Sequence, residues 1–113
     1  DFRNCVNFQK YPINHPIADK NRKVIREWIN HSKKNKYNLV FSMVQEIEQD
    51  PKYSDQFCKF IKSLDSNCIV FPKYLKDNKI SPRGLRHKYD LHFSAKGNRV
   101  YSDFLLEYIR NSK

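Results

Sequence analysis

The spacing of apolar positions along the chain predicts three amphipathic helices. Residues 1–15 show no clear period, and Pro16 suits the first turn of a helix that continues to about Asn35. Ser54 is predicted to cap a second helix and Ser94 a third, because serine at these positions can satisfy free backbone N–H groups. The apolar faces are Ile17, Val24, Ile25, Trp28 and Ile29 in the first helix, Phe57, Phe60, Ile61 and Leu64 in the second, and Val100, Tyr101, Phe104, Leu105, Tyr108 and Ile109 in the third.

Two nearly continuous apolar runs, residues 38–44 and residues 68–71, predict strands that are buried on both faces, as in parallel sheets. Pro72 is expected to end the second strand. Residues 72–90 then read as a long basic loop, and loops of this length in compact domains are often functional.

The order helix, strand, helix, strand, helix predicts an α/β fold whose strands are parallel and joined by helical crossovers. Two strands cannot complete a sheet. Further strands must come from residues 1–15, from a second copy, or from a segment outside these 113 residues. The chain is therefore either a single α/β domain over residues 1–113 or the C-terminal portion of a larger one.

Composition narrows the function classes. No apolar run approaches the roughly 20 residues of a spanning helix, so no membrane span is predicted. The 22 lysines and arginines exceed the 12 acidic residues, which gives a net charge of +10. These cations are spread along the chain, so they form either a solvated basic surface or a site for an anionic partner such as nucleic acid. Cys5, Cys58 and Cys68 have no metal-site spacing and argue against a disulfide framework, although one bridge stays open.

The segment Asp90-Leu91-His92 is the most informative for chemistry. In an extended segment Asp90 and His92 share a face, and a carboxylate beside an imidazole can fix its tautomer and stabilise the imidazolium. Gly97, early in the third helix, is costly there and indicates close approach by other backbone. The alternative is a capping loop that carries an incidental histidine.

Residues 90–101, Asp-Leu-His-Phe-Ser-Ala-Lys-Gly-Asn-Arg-Val-Tyr, resemble the last motif block of the SGNH/GDSL hydrolases. The Asp-x-His form is similar to that of SGNH-like acyltransferases and esterases of bacterial envelope polysaccharides. The resemblance is specific over residues 89–109 and only architectural over residues 16–71. It implies a flavodoxin-like three-layer α/β/α fold, of which this chain would be the C-terminal half, and a place in the bacterial cell envelope or outside the cell.

The resemblance implies that His92 is the general base of a serine ester mechanism and that Asp90 orients it. The family's serine lies in a Gly-Asp-Ser block. This chain has no such block, and its only glycines are Gly84 and Gly97. A missing N-terminal segment or a second chain would then supply the nucleophile, unless the chain descends from the family without catalysis. Other nucleophiles lack an oxyanion-hole signature; these are Ser42, Ser81, Ser94 and Cys5.

Arg83, Arg86 and Lys88 precede the proposed dyad and could bind an anionic or polysaccharide substrate, or simply form a solvated loop. His87 with Asp90 and His92 could supply metal ligands, but the surrounding basic residues disfavour a cation. We therefore predict neither a metal nor a cofactor. The alternatives to an acyl-ester enzyme are a basic module that binds nucleic acid or an acidic polymer, and a non-catalytic domain that oligomerises through its sheet edges.

Overall fold

The computed structural model describes residues 13–44, 52–88 and 92–112. Within them lie four α-helices and one two-stranded parallel sheet, which confirms the predicted mixed α/β class. The chain divides into two compact units, Asp1–Val70 and Phe71–Lys113.

The first helix, α1 (Asp19–Lys34), follows a 3-10 turn at Pro16–Ala18 and matches the predicted extent. The His15 ring accepts a hydrogen bond from the Ile17 backbone N–H and so caps this turn. Only two residues of the predicted apolar face, Ile25 and Ile29, are buried. The other three are more than a third exposed: Ile17, Val24 and Trp28.

The strands β1 (Val40–Met43) and β2 (Asn67–Val70) pair in parallel, with Phe41 opposite Cys68 and Met43 opposite Val70. The predicted parallel pairing is therefore confirmed. The strands are half-buried within their unit rather than buried on both faces.

Helix α2 (Lys52–Ser63) connects the strands. The predicted cap at Ser54 is wrong, because the helix already begins at Lys52 and Ser54 lies buried in its first turn. The chain leaves α2 through Asp65, whose φ of 56° lies in the left-handed region that ends many helices. The Ser66 N–H donates to the Ile61 carbonyl at 3.3 Å and closes this turn.

The core of the first unit is formed by α1, α2 and the segment before them. Its buried members are Ile13, Ala18, Ile25, Ile29, Phe57 and Ile61. Cys58 and Cys68 join α2 to β2 through a disulfide, with their Cα atoms 5.3 Å apart. The sequence had left one disulfide possible, and the structure contains it between Cys58 and Cys68.

The second unit begins with a helix that the sequence pattern did not predict. Phe71 belongs to α3 (Phe71–Asp77) rather than to the second strand, and the region predicted as a loop from Pro72 starts with this helix. Pro72 does not interrupt it, since proline at the start of a helix removes only an N–H that has no partner within the helix. Lys79, with φ of 55°, ends the turn that follows, where the Ile80 N–H donates to the Leu75 carbonyl.

The last helix, α4 (Ala95–Asn111), begins after Ser94 as predicted. Phe71 is fully buried and lies within 6.3 Å, centroid to centroid, of four other rings: Tyr74, Phe93, Tyr101 and Phe104. These rings come from α3, α4 and the residue just before the α4 cap. The aromatic cluster therefore fixes the segment that carries the proposed site. On the predicted apolar face of α4, Ile109 is half exposed.

Candidate active site

A turn at residues 81–85 fixes the start of the segment that precedes α4. The Arg83 N–H donates to the Ser81 hydroxyl at 3.2 Å, and the Leu85 N–H donates to the Pro82 carbonyl at 3.3 Å. Gly84 has a φ of 81°, a left-handed conformation that glycine adopts without strain. The turn positions Leu85, whose side chain is fully buried.

A short antiparallel pairing positions His92. Arg86 and Phe93 form an isolated bridge, and the His87 N–H donates to the His92 carbonyl at 3.0 Å. The Ser94 N–H donates to the Leu85 carbonyl at 2.9 Å. Backbone hydrogen bonds thus hold residues 85–87 against residues 92–94, and the exposed His92 lies beside the bridge.

Ser94 fastens the start of α4 to the same segment. Its hydroxyl accepts from the Gly97 N–H at 3.1 Å, which confirms the predicted cap, and donates to the Gly84 carbonyl at 2.6 Å. The close approach predicted for Gly97 is also confirmed, since a methyl group there would overlap the Leu85 carbonyl oxygen. The backbone that carries His92 is therefore held by both neighbouring elements.

The three predicted substrate-binding residues differ in their exposure to solvent. Arg83 and Lys88 are exposed, whereas Arg86 is half-buried. The Arg86 guanidinium lies 5.6 Å from the centre of the Phe93 ring, within range of a cation–π interaction. Because Arg86 and Phe93 are also bridge partners, this cation has a defined place close to His92.

Asp90 lies outside the described residues, so its pairing with His92 stays a prediction. Within the described part of the chain, no three histidine, cysteine or acidic side chains converge as metal ligands would. Among the alternative nucleophiles, Ser94 already uses its hydroxyl as the helix cap, and Ser42 lies half-buried in β1.

The first unit also contains a polar concavity that the sequence pattern did not predict. It has a volume of about 600 Å³, and its lining includes Arg22, Arg26, Gln56, Lys59 and Phe60. The available signal was the spacing of Arg22 with Arg26 and of Gln56 with Phe60, which places each pair on one helix face. That spacing does not reveal that the two faces border a common groove.

Within the residues that the structure describes, no helix combines the length and hydropathy that a bilayer-spanning segment requires. No protein-family model, curated protein or solved structure matches the chain.

Proposed function

We propose that this chain is the C-terminal, base-bearing part of an SGNH-type serine ester hydrolase or acyltransferase, with a flavodoxin-like three-layer fold completed by further strands. The observation that carries the proposal is the placement of His92. It is exposed, it lies two residues before the Ser94 cap of α4, and its backbone is paired with that of His87. The parallel strands joined through α2 agree with such a fold.

In this mechanism His92 would accept the proton of a serine as that serine attacks an acyl ester, and would then return the proton to the leaving group. Asp90 would bond the other ring nitrogen and stabilise the imidazolium. The sequence has no Gly-Asp-Ser block, so the serine and the oxyanion donors would come from another segment or chain. A fixed backbone around His92 favours this role because proton transfer needs the base within hydrogen-bond reach of the serine.

Arg83, Arg86 and Lys88 would bind the substrate. All three precede His92 by nine residues or fewer along the chain, and the Arg86 guanidinium lies over the Phe93 ring. This charge suits an acyl ester carried on an anionic carbohydrate, because guanidinium groups bind carboxylates and phosphates in paired hydrogen bonds. The disulfide between Cys58 and Cys68 supports a place in the cell envelope or outside the cell, where disulfides persist.

The test uses the native polypeptide that carries this chain, purified from its host, with p-nitrophenyl acetate as substrate. His92→Ala should lower kcat/KM by about 10³-fold or more, since removing a triad base has effects of that order. His31→Ala is the control, because it removes an exposed imidazole from α1. A fluorophosphonate probe followed by peptide mass mapping should label one serine in the native protein.

Two results would overturn the proposal. One is full ester turnover by the His92→Ala variant. The other is a native polypeptide that neither turns over the ester nor reacts with the probe. In the second case the basic binding module becomes the leading explanation, and tight binding to DNA, RNA or an acidic glycan that weakens steeply with salt would support it.

A further inference from the structure

The groove in the first unit concentrates positive charge. Arg22 and Arg26 come from α1, and Lys59 comes from α2, while no carboxylate is among the described residues that line it. Phe60 and Ile13 add apolar surface to the lining. A concave site with apolar walls and a few convergent polar groups is the usual form of a small-molecule site.

Arg22 is fixed in place by the backbone before α1. One of its terminal nitrogens donates to the carbonyls of Ile13 and His15 at 2.7 and 2.8 Å, and the other donates to Asp19 at 3.1 Å. Guanidinium has five N–H donors, so these three bonds leave two. A cation that is already ordered loses little conformational freedom when it binds an anion.

Arg26 and Phe60 are also arranged before any ligand arrives. The Arg26 guanidinium lies 5.4 Å from the centre of the Phe60 ring, so α1 supplies the charge and α2 the aromatic face. Within the described residues, neither Arg26 nor Lys59 has an ion pair with a carboxylate. Their charge is therefore available to an anionic group in the groove.

Gln56 provides a different kind of contact. Its side-chain oxygen is shielded from solvent and accepts no hydrogen bond from the described part of the chain. Buried polar atoms are nearly always hydrogen-bonded. The Gln56 oxygen is therefore unusual, because the described residues supply no donor to it. The last torsion of a glutamine side chain is broad, and rotation about it can turn the amide toward a donor in the groove.

We propose that this groove binds a small hydroxylated acid. Its phosphate or carboxylate group would lie against Arg26 and Lys59, beside the remaining donors of Arg22. One of its hydroxyl groups would donate to Gln56, and its carbon skeleton would pack on Phe60. The proposal is independent of the esterase function, because the groove belongs to the first unit and His92 to the second.

The test is calorimetric titration of the full chain at low ionic strength with glucose 6-phosphate, glucuronate, glucose and inorganic phosphate. At least one sugar acid should bind at least about tenfold more tightly than both glucose and inorganic phosphate, since it alone makes both kinds of contact. Preference for glucose 6-phosphate identifies phosphate as the anionic group, and preference for glucuronate identifies carboxylate. Failure of both sugar acids to bind overturns the proposal, as does equally tight binding of inorganic phosphate.

Variants can distinguish binding in the groove from general attraction of anions by the positive charge of the protein. Arg26→Gln should weaken the sugar acid about tenfold, whereas Lys23→Gln, which removes one exposed charge from the same helix outside the groove, should change affinity less than about twofold. Gln56→Leu should weaken the sugar acid but leave the weak binding of inorganic phosphate unchanged. Equal losses in the Arg26 and Lys23 variants would show that net charge alone attracts the anion, and would overturn the site.

Discussion

Gly97 in α4 lies so close to the Leu85 carbonyl oxygen that no side chain can be placed at this position. The same carbonyl oxygen accepts the Ser94 N–H at 2.9 Å, so the helix start and the preceding turn meet at one peptide group. This contact keeps the backbone around His92 in register with α4.

Gly97→Ala should therefore destabilise the protein. Alanine would favour an isolated helix by about 1 kcal/mol over glycine, but its methyl group would have to displace backbone rather than a flexible side chain. We expect a net loss of about 2 kcal/mol in the free energy of unfolding, measured by urea denaturation. Lys96→Ala, at the exposed neighbouring position, should change it by less than about 0.5 kcal/mol. An unchanged midpoint for Gly97→Ala would contradict the close contact.

Ser94→Ala should also destabilise the second unit, for a different reason. It removes the acceptor of the Gly97 N–H and the donor to the Gly84 carbonyl. Loss of a helix cap together with a second hydrogen bond should cost about 1.5 kcal/mol in urea denaturation. Ser102→Ala is the matched control, since its exposed hydroxyl only donates to the Asn98 carbonyl within α4. Equal effects of the two variants would argue against the capping role.

The disulfide between Cys58 and Cys68 should contribute to the stability of the first unit. It closes a loop with a sequence separation of 10, for which chain entropy predicts about 3 kcal/mol. Reduction, or the double variant Cys58→Ala with Cys68→Ala, should lower the free energy of unfolding by about that amount. The Cys5→Ala variant keeps this bridge, so reduction should lower its free energy of unfolding by the same amount as in the unaltered protein. Alkylation of all three cysteines in the unreduced native protein would show that the bridge does not form.

The pKa of Tyr74 gives a prediction for alkaline pH. Burial raises this pKa above its ordinary value of 10.0, and the carboxylates of Glu107 and then Asp103 add to the effect. The unfolded chain therefore loses the phenol proton at lower pH than the folded protein does. The resulting stabilisation is complete below about pH 10 and declines as the pH rises toward the folded pKa. Tyr74→Phe should make this alkaline decline shallower in denaturation series at increasing pH.

The charge contribution can be separated from burial. Glu107→Gln should lower the Tyr74 pKa part of the way toward 10.0. The Tyr74 titration is obtained as a difference curve, in which the phenolate absorbance of the Tyr74→Phe variant is subtracted at each pH. Glu27→Gln removes the same charge from α1 and should leave that difference curve unchanged. A larger shift from Glu27→Gln than from Glu107→Gln would contradict the assignment.

Local sequence signals predicted the parts of the fold that depend on local physics. The period of apolar residues located α1 and α4, the Ser94 cap followed from side-chain chemistry, and the glycine at position 97 indicated a close backbone contact. Helix α3 was missed because it is only seven residues long and too short to show a period.

The features that the sequence did not predict depend on contacts between elements. Pairing of Cys58 with Cys68 requires the turn at Asp65 to bring a helix and a strand together, and no spacing rule encodes that. The groove lined by Arg26 and Gln56 requires the packing of α1 beside α2. The Ser54 cap was misplaced because helix boundaries inferred from polar residues are uncertain by a few positions.

The covalent link between α2 and β2 also determines how the protein responds to cleavage. Lys59 and Lys62, both sites for trypsin, lie inside the loop that Cys58 and Cys68 close. A cut after either lysine would therefore release no fragment, and the two pieces would migrate together until a reductant separated them. Cleavage after either lysine would stay hidden in any assay that measures only the size of the unreduced chain.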